Sequence, residues 1–177
     1  VTNTSDGMNI LADLVAHDGP VLSDEMEFPT VTLPFLHRGA QMQFVPAIEG
    51  ELRLEMFDEV HAPRATSIAV SHVQFSNGFR IDLDALGAIK GRRPLIVCGS
   101  QSVGAFEIDV KAMQIDGLAC AGHKWMMAGY GAGFVYVGKE LLKRAPRGLG
   151  SRSVKDPFAF NPRAGIPVAA ARRYELG

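Results

Sequence analysis

Short runs of Val, Ile, Leu and Phe alternate with stretches of helical spacing from one end of the chain to the other, and this order limits the available folds more than any other feature. The apolar runs predict strands at Val21–Ser23, Met42–Val45, Ser67–Val73, Leu95–Cys98, Gly117–Cys120 and Phe134–Val137. Leu95-Ile96-Val97-Cys98 has no polar alternation, as a strand covered on both faces requires. Between the runs, helices are predicted over Gly7–Ala16, Thr30–Gly39, Leu54–Val60, Leu83–Ile89, Val110–Gln114 and Lys139–Arg144. In the first, Ile10, Leu11, Leu14 and Val15 form an apolar stripe, and Thr4, Ser5 and Asp6 stand where capping residues belong. Alternating strands and helices imply an α/β fold of three layers, αβα, with a mainly parallel sheet between helical layers. No fixed-period repeat or low-complexity segment is visible, and after Pro146 the pattern fades into Gly, Pro, Arg and Ser.

Size and charge narrow the function. A chain of 177 residues suits one domain, and its opening at Val1 and end at Gly177 read as an internal piece of something longer. Eighteen basic residues against 19 acidic give a net charge of -1, which supplies no broad positive field for nucleic acid. A composition 47% hydrophobic and 21% charged is that of a globular domain. No signal peptide and no apolar run of membrane length is present, so no membrane partner is expected. Two cysteines cannot build a disulfide framework, which points to a reducing, cytoplasmic location.

Chemistry concentrates in three places. Gly117–Gly138 contains no Asp or Glu, and Lys124 is its one basic residue apart from His123. An ammonium among Trp125, Met126 and Met127 without a carboxylate partner is costly, and a depressed pKa would leave a nucleophilic amine suited to Schiff-base chemistry. The plainer alternative is a lysine whose stem packs while its head reaches water. Thr2-Asn3-Thr4-Ser5-Asp6-Gly7 leads into a helix, where hydroxyls and free N–H groups make either a phosphate seat or an ordinary cap. Cys98-Gly99-Ser100-Gln101-Ser102-Val103-Gly104 follows the buried strand, at the carboxyl end where parallel sheets bind ligands. It lacks the Gly-Lys-Ser/Thr ending of a nucleotide-binding loop, and Gly129-Tyr130-Gly131-Ala132-Gly133 precedes a strand where a dinucleotide fingerprint needs a helix.

Other residues read more simply. Cys98 could be a nucleophile with His72 or His123 as base, or a small core residue, and Cys120 reads as core. His17, His37 and His61 fall near helix ends, no histidine pair has zinc-site spacing, and no metal is expected. Asp82 and Asp84 suit the acidic start of a helix, Lys139–Arg144 suits an amphipathic one, and Arg172 with Arg173 suits an ion pair.

The segment Ala121-Gly122-His123-Lys124-Trp125 resembles the S-G-H-K-W of the class V aminotransferases, pyridoxal-phosphate (PLP) enzymes of fold type I that include cysteine desulfurases, selenocysteine lyases and isopenicillin epimerase-like proteins. Thr4-Ser5-Asp6-Gly7-Met8-Asn9 is similar to T-T-E-G-I-N, and Glu27-Phe28-Pro29 to an E-F-P of one branch. Ser71–Arg80 resembles that branch's central strand and turn, and Arg173-Tyr174-Glu175-Leu176-Gly177 resembles R-F-E-x-G. The blocks occur in family order over nearly the whole chain.

The resemblance implies that residues 1–177 form the core of a PLP-binding large domain, without its N-terminal segment and C-terminal small domain. It implies an amino-acid substrate and a homodimer. Lys124 would form the Schiff base with the cofactor and move protons at the substrate α carbon. Thr4, Ser5 and His123 would hold the phosphate, Phe28 would lie against the pyridine ring, and Gln101 would bond the phenolic oxygen. Cys98 stands where the family's D-x-x-Q places the aspartate that pairs with the pyridine nitrogen, and Ala121 replaces a phosphate-binding serine. Ser151 occupies a position where the branch often has tryptophan. The resemblance thus implies transamination or a desulfurase or lyase reaction, impaired by Cys98. The alternative is a degenerate PLP fold kept as a binding or interaction module.

Overall fold

The structure is a computed structural model, and it describes residues 1–145, 148–159 and 165–175. Pro146, Leu176 and Gly177, named above, lie outside the described residues. Six strands form one sheet: β1 (Val21–Asp24), β2 (Met42–Val45), β3 (Ser67–Ser71), β4 (Leu95–Cys98), β5 (Gly117–Ala121) and β6 (Gly133–Val137). Their order is β2-β1-β3-β4-β5-β6. The first five run parallel, and β6 turns back antiparallel to β5.

Helices α1 (Thr4–Val15) and α2 (Pro29–His37) cover one face, burying Met8, Leu11, Val15, Val31 and Phe35 with Ala69, Ile96 and Ala119. The opposite face packs Ile68, Val70, Leu95 and Val97 against Phe57, Ile81, Leu83, Leu86 and Ile115, with α3 (Leu83–Ile89) as its helix. All of β4 is buried, as its unbroken apolar run requires. Arg38, just past α2, ties the first layer together: Nε donates to Asp13 of α1 at 2.5 Å, and Nη1 to Asn9 at 2.9 Å. Among the described residues, no helix is long and apolar enough to cross a membrane.

Several expected elements take other forms. Helix α1 begins three residues earlier than predicted, so Thr4, Ser5 and Asp6 form its first turn and Asn3 is the cap, accepting from Asp6 N–H at 2.9 Å. Leu54–Val60 holds only the 3-10 turn Leu54–Phe57, because Asp58 is extended and its Oδ1 accepts from Val60 and His61 N–H instead. Residues 110–114 are turns, with Asp109 Oδ1 bonding Lys111 and Ala112 N–H and Gln114 at positive φ. Lys139–Arg144 shortens to a 3-10 turn, Leu141–Lys143. Asp82 does cap α3, accepting from Ala85 N–H at 3.0 Å. Arg172 and Arg173 donate to backbone carbonyls, Val154 O and Leu142 O among them, rather than to the carboxylates expected of an ion pair.

Candidate active site

Three adjacent strands end together at one side of the sheet. Their last residues are Ser71 on β3, Cys98 on β4 and Ala121 on β5, and Ser71 and Cys98 are register partners. The N-terminus of α1 lies over these ends because Gly7 lets it approach β5: a Cβ there would stand 2.7 Å from the Ala119 Cβ. A cavity of about 250 Å³ opens where the strand ends, α1 and α2 meet. Thr4, Ser5, Phe28, Cys98, Gln101, His123 and Lys124 all line it. So do Thr30, Ser71, Val73, Phe75 and Ser100, which the sequence did not single out as site residues.

Hydroxyls gather at the helix start. Thr4 Oγ1 and Ser100 Oγ are 2.5 Å apart, and Ser5 Oγ and Thr30 Oγ1 are 3.1 Å apart. Asp6, the acid of that first turn, is engaged by the N–H and hydroxyl of Thr2 and is not part of the lining. Ala121 also lines the cavity, so the hydroxyl absent there is offset by Thr30 and Ser100 nearby. On another wall Phe28 and Phe75 meet edge to face, with centroids 5.1 Å apart and planes at 74°. His123 stacks on Tyr130 at 4.6 Å.

Lys124 reaches the cavity from the loop joining β5 to β6. That loop is fixed by Ala128 N–H to Gly122 O at 2.9 Å and Gly122 N–H to Ala132 O at 2.7 Å. It also rests on Gly104 (φ +95), where a Cβ would come within 2.5 Å of Trp125 O. Lys124 is exposed, not enclosed in apolar surroundings as its flanking sequence suggests. The apolar neighbours point outward as well: Trp125 is 55% exposed, Met127 88% and Tyr130 90%. They sit on a hairpin that projects beyond the sheet, so their hydrophobicity does not report burial.

Cys98 is a buried thiol that donates to Ser100 Oγ at 3.4 Å. Burial pushes its pKa up, against a smaller lowering by Ser100, which favours the neutral thiol over a thiolate. Among the described residues the thiol's hydrogen bond goes to Ser100 and to neither histidine. His72 lies outside the cavity lining, its Nδ1 is buried without a hydrogen bond, and burial followed by the charge of Arg80 lowers its pKa to about 4.

Behind the cavity, at the end of β1, lies a pair of carboxyls that the sequence reading missed. Asp24 is fully buried, and Glu27 accepts from Ser71 Oγ at 2.7 Å. Burial and then the Glu27 charge push Asp24 up to about 8, and burial also raises Glu27 against the lowering by Ser71. The signal available in the sequence was Ser71–Arg80, which carries Ser71, Gln74 and Phe75 together.

A mainly parallel sheet with a hydroxyl-rich cavity and a lysine at its carboxyl edge is the arrangement in which α/β folds bind their ligands. The chain belongs to the class V aminotransferases: the family model described as Aminotransferase class-V matches residues 1–164. It is 31% identical to the uncharacterized aminotransferase YcbU of Bacillus subtilis, over 100% of this chain and 48% of YcbU. The apo cysteine desulfurase of Thermococcus onnurineus superposes with a TM-score of 0.87 at 26% identity, over 99% of this chain and 46% of that one. A C-DES mutant with glycine covalently linked to its PLP cofactor shares the fold, with a TM-score of 0.81 at 22% identity over 99% of this chain and 49% of that one. The chain thus spans less than half the length of these proteins.

The residues present fit a PLP-sized guest at the phosphate, ring and lysine positions. Four hydroxyls at a helix start suit a phosphate, the Phe28–Phe75 pair suits an aromatic ring, and Lys124 suits an aldehyde. They depart from it at Cys98, which offers no charge.

Proposed function

We propose that the chain is the PLP-binding core of the large domain of an enzyme that acts on an amino acid, with Lys124 as its catalytic residue. The observation that carries this reading is the convergence of Lys124, the hydroxyls of the α1 start and an aromatic pair on one cavity at the strand ends. When bound, PLP supplies an electron sink conjugated to the substrate α carbon. Lys124 Nζ would anchor the cofactor at its aldehyde carbon and carry a proton to and from the substrate α carbon. The hydroxyls of Thr4 and Ser5 and the N–H groups of the first turn would hold the phosphate, with His123 beside them. Phe28, braced by Phe75, would hold the ring, and the Gln101 amide would donate to the phenolic oxygen.

The reaction proposed is a transamination or a desulfurase or lyase type, supported by the YcbU and desulfurase similarities. Exposed Trp125, Met127 and Tyr130 support a homodimer that covers them. Cys98 favours one second reading, a degenerate PLP fold that binds without turnover.

One experiment separates the readings. The protein is mixed with PLP, its visible absorbance is recorded, and borohydride reduction is followed by peptide mapping. A label on Lys124 together with amino-acid turnover supports the enzyme, and a label without turnover supports the binding module. No label on Lys124 overturns both.

A further inference from the structure

The cavity presents a neutral thiol where PLP chemistry calls for a charge. The pyridine ring accepts electrons well when its nitrogen is protonated, and an acidic side chain is the usual partner of that proton. Cys98 cannot be that acid, yet a carboxylate stands one hydrogen bond behind it. Ser71, beside Cys98 in the register and in contact with it, donates its hydroxyl to Glu27 Oε2 at 2.7 Å and its N–H to Glu27 Oε1. Gln74 Nε2 donates to Glu27 Oε1 at 3.2 Å and to the two Asp24 oxygens at 3.0 and 3.2 Å. Asp24 also accepts from Met26 N–H at 3.0 Å.

All these donors are neutral. Two neighbouring carboxyls, one buried and one half-buried, served by neutral donors do not both ionise, so the pair carries at most one negative charge. Its hydrogen bonds favour that charge on Glu27, which accepts from the Ser71 hydroxyl, the Ser71 N–H and Gln74, where Asp24 accepts from Gln74 and Met26 N–H. Asp24 and Gln74 beside it are 0% and 2% exposed while Glu27 is half-buried, so water screens this charge only in part. The direction of the Ser71 hydrogen bond matters as well. A hydroxyl whose hydrogen is committed to Glu27 turns oxygen lone pairs toward its other neighbours, and Ser71 lines the cavity.

We infer that Glu27, acting through the Ser71 hydroxyl, supplies the negative charge that keeps the ring nitrogen of bound PLP protonated in a chain with cysteine at position 98. The inference rests on the reading of this cavity as a PLP site. Glu27 is outside the lining and is a positioning residue, while Ser71 lines the cavity and would make the contact. The other ionisable groups at this end are Asp24 behind Glu27, Cys98 beside Ser71, His72 next to Ser71 in the chain, and His123 and Lys124 in the cavity wall.

Two measurements test it. In the cofactor-free protein, alkylation of Cys98 by iodoacetamide is followed across pH by mass spectrometry. Glu27→Gln removes a negative charge near the thiol and should speed alkylation near neutral pH by about tenfold, the equivalent of one pKa unit. In the loaded protein, PLP labelled at the ring nitrogen is followed by NMR. Wild type should show a protonated ring nitrogen, Glu27→Gln should lose that proton at a pH about one unit lower, and Cys98→Asp added to Glu27→Gln should restore it. Ser71→Ala, which leaves Glu27 in place, should give the same loss and guards against a folding defect in Glu27→Gln. A ring nitrogen indifferent to Glu27 and Ser71, or an unchanged Cys98 alkylation profile, overturns the inference and leaves the PLP site standing. Failure to bind PLP overturns both.

Discussion

Three residues set what the site can do. Lys124 is exposed at the edge of the cavity and makes no core contact, so Lys124→Ala should abolish the borohydride-fixed label and leave the denaturation midpoint unchanged. Gly104 combines positive φ with backbone contact to Trp125, so any side chain there strains the turn and pushes the lysine loop away. Gly104→Ala should cost about 1–3 kcal/mol in chemical denaturation and weaken PLP capture at the same time. Cys98 ends β4 in direct reach of the cavity, and Cys98→Asp would put a carboxylate there in place of a neutral thiol. Preorganised charge in such a site is worth about 3 kcal/mol, so in a Glu27→Gln background, where the charge relayed through Ser71 is gone, Cys98→Asp should raise turnover of an amino acid by about two orders of magnitude. Unchanged turnover in that background would mean that a carboxylate at position 98 does not serve the ring nitrogen.

The strands were legible in the sequence because a buried parallel strand leaves a contiguous apolar run that little else imitates. Of the short helices, α3 was legible at its own bounds, and those expected at Leu54–Val60 and Val110–Gln114 were not. Leu54, Met56, Phe57 and Val60 have helical spacing, but Asp58 spends its carboxylate on Val60 and His61 N–H and stops the turn. The residues near 110 fail in the same way, through Asp109. The start of α1 was placed late because five polar residues in a row, Thr2 to Asp6, offer several caps, and only the fold selects Asn3. Asn3→Ala should therefore cost about 1 kcal/mol in denaturation. It should also weaken PLP binding in a titration, because the same first turn lines the cavity. The candidate residues near the phosphate and lysine came from motifs. Glu27 and Phe75 lay inside quoted motifs without a role, and Thr30 and Asp24 lay outside them, because these residues join the others only in the fold.

At the scale of the whole molecule, two buried groups set opposing pH responses. His72 has a folded pKa of about 4 against an ordinary 6.5, so over that interval the unfolded chain binds the extra proton and stability rises with pH. Asp24 is the reverse. Between its ordinary 3.8 and about 8 the folded chain keeps a proton that the unfolded chain has lost, and stability falls as pH rises. Glu27, also raised, acts in the same direction as Asp24. Below about pH 6.5 the trends oppose, and from there to about 8 only the fall remains, at up to about 1.4 kcal/mol per pH unit for one proton. Denaturation midpoints recorded across that interval should decline in wild type and flatten in Asp24→Asn.

The cavity wall is drawn from Asn3 near the start of the chain through Lys124, more than a hundred positions later, and from every parallel strand end between β3 and β5. No half of this sequence carries the seat. A guest lodged there spans the opening helix and the final hairpin like a rivet through overlapping plates, and prying apart any one plate means first drawing the rivet.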